Sequence, residues 1–142
     1  MGWPTHRSLA DTEAFLGFSH AQWSHWPSGP YLIESLVTGT LLGSTGLSFE
    51  SPTEAETGYV LARDAWGQGF ATEALRAVVR TAPALGVRLL WAQCHPDHLA
   101  SAHVLEKAGF TRDPELHTHT GFPNLPDGGP KQVVRYTLSL VP

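Results

Sequence analysis

One stretch concentrates residue types that could do chemistry: Tyr59-Val60-Leu61-Ala62-Arg63-Asp64-Ala65-Trp66-Gly67-Gln68-Gly69-Phe70-Ala71-Thr72-Glu73-Ala74-Leu75. An apolar, strand-like run ends, two glycines punctuate a turn, and a helical pattern starts at Phe70. Glycine suits a backbone that must turn sharply or approach a ligand closely. The free amides of such a turn and of the first helical turn point at one spot, with the positive end of the helix dipole behind them. That is an anion site, suited to a pyrophosphate. Taken alone, a Gly-x-Gly before a helix fits an ordinary loop equally well.

A second group follows: Cys94, His95, His98, Ser101 and His103. The three histidines invite a metal reading. Their spacing scatters them around a helix start, and no Cys or carboxylate completes a set, so no metal site is expected. Cys94 lies in an apolar run and reads as a small buried hydrophobe. His117 and His119 alternate in a Pro/Gly-rich region and read as surface residues.

The elements that must position these groups are legible in outline. Ser8 is a good N-cap, with Asp11 three residues on. Leu9, Thr12, Phe15 and Leu16 then share a helical face, and the helix ends before Trp26-Pro27-Ser28-Gly29-Pro30. Residues 31–37 and 41–49 read as a β-hairpin about Thr38-Gly39-Thr40. Residues 50–57 read as a polar connection, and 57–62 as a third strand. A loop over 63–69 leads to a helix from Phe70, with Ala71, Ala74, Leu75, Val78 and Val79 on its apolar face. Pro83 ends it near Ala82. Residues 87–94 form a buried-type strand. Asp97 is the expected N-cap of a third helix, which stops at Gly109. Phe110-Thr111 begins a short strand, 113–131 reads as a loop, and 132–140 is the last strand. The strand–helix–strand piece over 57–94 predicts a βαβ unit with parallel or neighbouring-parallel strands.

The 142 residues fit a single domain over 1–142. They are 42% apolar with fourteen aromatic residues, enough to bury a core. Nine Lys+Arg against thirteen Asp+Glu, with no basic run, argue against nucleic-acid binding. The single Cys excludes an intramolecular disulfide framework and a Cys-based zinc finger. The N-terminus lacks a signal-peptide pattern, and the uncharged runs are too polar or too short to span a membrane. A soluble, cytoplasmic domain is expected.

The stretch Trp66-Gly67-Gln68-Gly69-Phe70-Ala71, continued by Thr72-Glu73-Ala74-Leu75, resembles the acyl-CoA-binding motif of the GNAT acetyltransferase superfamily, Q/R-x-x-G-x-G/A. About thirty residues on, the run from His95 to Phe110, with Ser101 and Val104-Leu105-Glu106-Lys107-Ala108-Gly109-Phe110, resembles the family's second helix signature. The subgroup it is most similar to is the ribosomal-protein N-terminal acetyltransferase-like one. The resemblance covers roughly Leu9 to Phe110. It implies a single-domain α/β (α+β) fold with a mixed, mostly antiparallel sheet of five to six strands. Two middle strands should splay apart to admit acetyl-CoA. The implied activity is transfer of an acetyl group from acetyl-CoA to a primary amine by direct attack.

The resemblance also assigns residues. Val60, Leu61, Trp66, Gly67, Gln68, Gly69, Phe70, Ala71, Thr72, His98 and Ser101 would bind the cofactor. A backbone N–H around Val60–Leu61 would stabilise the thioester oxygen. Glu56 would be the general base, with a solvated strand-end charge as the plainer reading. Glu54 is its weaker substitute, and Glu50 would add to an acidic patch that attracts a cationic amine. Ser101 would protonate the CoA sulfur, or else be an ordinary polar residue of a helix's first turn. Three departures stand out. Trp66 replaces the commonest Arg or Gln, and His98 replaces an Asn. The family's opening strand and helix, which help form the acceptor wall, would precede the Ser8 region; either another subunit, such as a second copy in a homodimer, supplies that wall, or the site is unusually open, or activity has been lost. Leu105 occupies the place of a frequent acidic Tyr, leaving Tyr136 as a spare donor or packing residue. A Cys94–His95 acetyl-Cys route is set aside because strand neighbours point to opposite faces. A rival reading is a non-catalytic acyl-CoA-binding module.

Overall fold

A computed structural model describes residues 9–120 and 130–140. Six strands form one sheet in the order β1-β2-β3-β4-β6-β5. They are β1 (Pro30–Glu34), β2 (Leu41–Ser51), β3 (Glu54–Leu61), β4 (Leu89–Cys94), β5 (Thr111–Thr120) and β6 (Pro130–Ser139). The helices are α1 (Leu9–His25), α2 (Phe70–Thr81) and α3 (Leu99–Lys107), with short 3-10 turns at Arg63–Ala65 and Ala82–Leu85. Every strand pair is antiparallel except β3–β4, which α2 connects as a parallel pair. This is the mixed sheet and βαβ unit that the sequence predicts. Among the described residues no helix is long and apolar enough to cross a membrane.

The parallel ladder is short. It pairs Glu54 with Leu89, Ala55 with Leu90 and Glu56 with Trp91, and stops there. Both strands run on, β3 to Leu61 and β4 to Cys94, each paired only on its far side. The sheet therefore splits between its two middle strands, as expected.

One face of the sheet carries the core. Leu75 and Val78 of α2, Leu90 of β4, Leu105 of α3 and Val134 of β6 are buried together with Phe49 and Phe110. A smaller cluster of Leu61, Ala65 and Ala71 ties the end of β3 to the start of α2. Arg76 of α2 donates to the Lys107 carbonyl at the end of α3 (3.2 Å), which joins the two helices.

Five local expectations are corrected. Strand β1 ends at Glu34 rather than Val37. Ser35 Oγ accepts from the Val37 and Thr38 amides, and this serine turn withdraws them from the ladder. Leu36 and Val37 are left fully exposed at the hairpin tip. Strand β3 begins at Glu54, so residues 54–57 are strand and not connection. Ser51 Oγ accepts from the Thr53 and Glu54 amides and closes a tight turn. The alternation that marks the strand rests on buried Ala55 and Thr57, which are too small and too polar to show as an apolar pattern.

The N-cap position of α3 is His98, which makes no side-chain capping bond, and not Asp97, whose amide donates to His95 Nδ1 (3.1 Å). Most of the expected 113–131 loop up to Thr120 is strand β5, and residues 121–129 lie outside the described ones. Pro114 is tolerated because β5 is an edge strand and the register shifts between Arg112 and Leu116. Last, Leu16 is half exposed. Helix α1 is held through its C-terminal aromatics instead, with Trp26 stacked on Phe49 and Trp23 edge-on to Tyr31. Ser8 lies outside the described residues, as do the side chains of Leu9, Asp11, Thr12, Phe15, His117 and His119.

Candidate active site

The split between β3 and β4 opens into a cavity of about 310 Å³. Strand β3 lines it with Glu56, Gly58, Tyr59 and Val60. Cys94 ends β4 on its other side, followed by His95, His98, Ser101 and Leu105 around the start of α3. Successive side chains of a strand leave on opposite faces. Glu56 and Tyr59, three apart, therefore approach the split from opposite sides of the sheet.

Two polar groupings lie on opposite faces of the sheet at this split. On one side, burial pushes the Glu56 carboxyl above its ordinary range, nearby Glu50 pushes it further, and Arg135 opposes both. Arg135 itself lies over the Trp91 ring, 4.4 Å from its centroid. On the other side, Ser101 Oγ is 2.8 Å from His98 Nδ1 and 3.2 Å from Tyr59 Oη. Burial lowers the His98 pKa, so its ring is neutral at pH 7. Burial raises the Tyr59 pKa and keeps the phenol protonated. Cys94 is buried, as expected, but also lines the cavity, and burial raises its thiol pKa. Tyr136 is a core residue, with its hydroxyl 3.5 Å from Glu106 Oε1.

Beyond Leu61 the chain turns through residues 63–69 into α2. Gly67 and Gly69 sit at φ 73° and 82°, the left-handed region that other residues avoid. A β-carbon at either would meet nothing within 4 Å, so backbone twist rather than crowding requires glycine there. Trp66 Nε1 donates to the Leu61 carbonyl (3.0 Å), and Gln68 Nε2 to the Asp64 carbonyl (2.8 Å). The first bond of α2 runs from the Glu73 amide to the Gly69 carbonyl (3.1 Å). The amides of Phe70, Ala71 and Thr72 precede it and have no intrahelical acceptor. Gly69 and Thr72 border a groove with Arg76, Arg80 and Lys107, and with the carboxylate of Glu73 among them. Amides at a helix start beside three cations form a donor set that fits phosphates.

The structure thus brings Glu56, Val60, His98 and Ser101 to one cavity. It places Leu61 and Ala71 in the cluster beneath the loop, and Trp66, Gly67, Gln68, Gly69, Phe70 and Thr72 on the loop and first helical turn. Glu54 lies on β3 but does not line the cavity. Sequence reasoning missed Tyr59 and the Arg76/Arg80/Lys107 groove. A phenol on the core-facing parity of β3, beside Gly58, is a group that needs a partner, and that was the one signal for Tyr59. The groove joins Gly69 to Lys107, from two separate helices, and had none.

Comparison with known proteins agrees with this geometry. The family model described as "Acetyltransferase (GNAT) domain" matches residues 1–111. No curated protein matches the sequence. Among solved structures, an N-acetyltransferase from Staphylococcus aureus Mu50 aligns with TM-score 0.76 at 19% identity, over 99% of this chain and 82% of that one. A candidate ribosomal-protein-serine acetyltransferase from Vibrio cholerae aligns with TM-score 0.75 at 22% identity, over 96% and 78%. A candidate acetyltransferase from Salmonella typhimurium, determined with its cofactor acetyl-CoA, aligns with TM-score 0.78 at 16% identity, over 96% and 78%. The split sheet, the glycine loop at a helix start and the family match together place this chain in the GNAT acetyltransferase family, the acetyl-CoA-dependent acetyltransferases.

Proposed function

We propose that the chain works as one acetyltransferase domain that transfers the acetyl group of acetyl-CoA to a primary amine, a small amine or a peptide N-terminus, by direct attack. The observation that carries this reading is the shared cavity. A carboxylate with a raised pKa and a hydroxyl-bearing helix start line the same split from opposite sides of the sheet.

An α-amino group has a pKa near 8 and a Lys amine near 10.4, so the incoming amine must lose a proton. Glu56 is the base that takes it at a carboxylate oxygen. Its raised pKa makes it a stronger base than a solvated glutamate. Glu50 beside it adds negative charge that favours a cationic amine at the mouth. Bound acetyl-CoA supplies the thioester carbon. Peptide groups alternate sides along a strand, and the Ala62 amide bonds to Leu42 on β2. The Leu61 amide, one residue back, is therefore directed at the split, where it can donate to a developing oxyanion. Ser101 Oγ supplies a proton to the leaving sulfur. The Phe70–Thr72 amides, with Arg76, Arg80 and Lys107 alongside, hold phosphate groups.

The test is free thiol release from acetyl-CoA across a panel of amines and short peptides. Amine-dependent release, lost in Glu56→Gln and reduced in Ser101→Ala, supports the assignment. Acetyl-CoA binding without release for any amine would favour the non-catalytic binding module instead.

A further inference from the structure

A serine hydroxyl carries one hydrogen and two lone pairs. Two groups reach that of Ser101: Tyr59 Oη from β3 at 3.2 Å and His98 Nδ1 from the helix cap at 2.8 Å. Which way these two bonds run decides what Ser101 can offer the cavity. If His98 Nδ1 is bare, it takes the Ser101 hydrogen, and the cavity meets only lone pairs. If Nδ1 carries the ring proton, it donates to Ser101 Oγ, as the phenol can also do. Both lone pairs are then filled, and the remaining hydrogen has to find a third partner.

We infer that Tyr59 and His98 are positioning residues that both donate to Ser101 Oγ, with His98 held as its Nδ1–H tautomer, so that the Ser101 hydrogen points into the cavity. The inference rests on the reading of Ser101 as the proton donor to sulfur. Two observations and one chemical argument support it. All three side chains line the cavity. Burial keeps the phenol and the imidazole neutral, so each has a single hydrogen to give in this chain of bonds. Two donors on one hydroxyl oxygen polarise its O–H bond, which suits a hydroxyl that must give up a proton. Tyr59 thereby offers a phenol to a site where Leu105 supplies no hydroxyl. His98 does the work of a side-chain amide, which can likewise donate to Ser101.

The decisive measurement needs no turnover. Long-range 1H–15N correlation spectra of ligand-free, 15N-histidine-labelled protein report the tautomer of each ring, and His98→Asn identifies the His98 signals. An Nδ1–H tautomer is expected. An Nε2–H tautomer would overturn the inference, because Ser101 would then be donating to His98. Kinetics supply the second readout. Tyr59→Phe should lower kcat about tenfold with a smaller change in KM for acetyl-CoA, since it removes the hydrogen bond to Ser101 and keeps the ring that lines the cavity. His98→Asn, which keeps an N–H donor, should stay within about threefold of the parent kcat, whereas His98→Leu should fall with Tyr59→Phe. Equal losses in His98→Asn and His98→Leu would count against donation by His98. A Ser101→Ala variant with undiminished turnover would instead overturn the proton-donor role on which the inference rests, and would do so whichever tautomer is found.

Discussion

Glu56 and Trp91 form the last paired position of the parallel β3–β4 ladder. One residue further the two strands have parted, so Glu56 stands at the apex of the split. A residue there is packed by both strands yet opens onto the cavity. This accounts for a carboxyl that is both desolvated and accessible.

Glu56 should set the acid limb of the pH–rate profile. Its pKa is raised from 4.5 by burial first and by Glu50 second. As the base it must be ionised, so kcat/KM should fall as pH drops through a value above the ordinary carboxylate range. Glu50→Gln should move this limb to lower pH with neutral-pH turnover retained. Glu56→Gln should abolish the limb and cost about 100-fold in kcat. The stability effect has the opposite sign. A group with a raised folded-state pKa contributes stability below its unfolded value and loses that contribution as pH rises through the folded value. Glu56→Gln should therefore melt higher than the parent at pH 7, with the difference shrinking by pH 4.

Gly43 is required by close approach rather than by backbone twist. A β-carbon there would overlap the Val60 carbonyl and come within 2.9 Å of Leu61 Cα. Gly43→Ala should push β2 off β3 and destabilise the fold by about 1–3 kcal/mol in urea titrations. It should also raise KM for acetyl-CoA, because Val60 borders the cavity. Gly17→Ala is the contrast. It lies inside α1 with nothing within 4 Å of its added β-carbon, so it should stabilise by about 0.5–1 kcal/mol.

The indole of Trp66 points back at the end of β3, to the Leu61 carbonyl, and carries Arg63 at 5.6 Å from its ring centroid. Trp66→Phe keeps an aromatic ring, smaller than the indole, and loses the bond, worth about 1 kcal/mol. Isothermal titration should show the acetyl-CoA Kd rising about fivefold, with saturated turnover little changed. Gly69→Ala should act in the same direction through strain alone, about 1–2 kcal/mol for a left-handed alanine.

Cys94 offers a probe of the cavity. Its thiol is buried and its pKa raised from 9.0, with desolvation the largest cause. Alkylation at pH 7 should be at least about tenfold slower than that of a free cysteine and should accelerate with rising pH. Acetyl-CoA should protect the thiol further. Labelling unaffected by saturating acetyl-CoA would show that the cofactor does not enter the split beside Cys94.

Much of the frame is legible in the chain itself. The loop glycines, the apolar stripe of α2 and the buried run of β4 are local patterns, read from backbone demands and from 3.6- and 2-residue periods. Other elements are hidden for local reasons of their own. Strand β5 carries Asp113-Pro114, which looks like a loop until it is seen on a sheet edge, where a missing N–H costs nothing. Strand β3 begins on Glu54-Ala55-Glu56-Thr57, whose buried members are small or polar and leave no apolar alternation.

By itself, then, the sequence determined the βαβ unit, the glycine turn at the head of α2 and the motif pair that marks the family, since each is specified by neighbouring residues. Which side chains share a cavity was decided only by the tertiary structure. Tyr59 reaches Ser101 forty-two residues away. Glu56 owes its raised pKa to burial in the folded sheet and to Glu50, six residues earlier on the neighbouring strand β2. Both depend on a parallel ladder that stops after three pairs and on the docking of α3 against its open end. Those are balances of long-range packing, and no local pattern encodes where two strands thirty-five residues apart cease to pair.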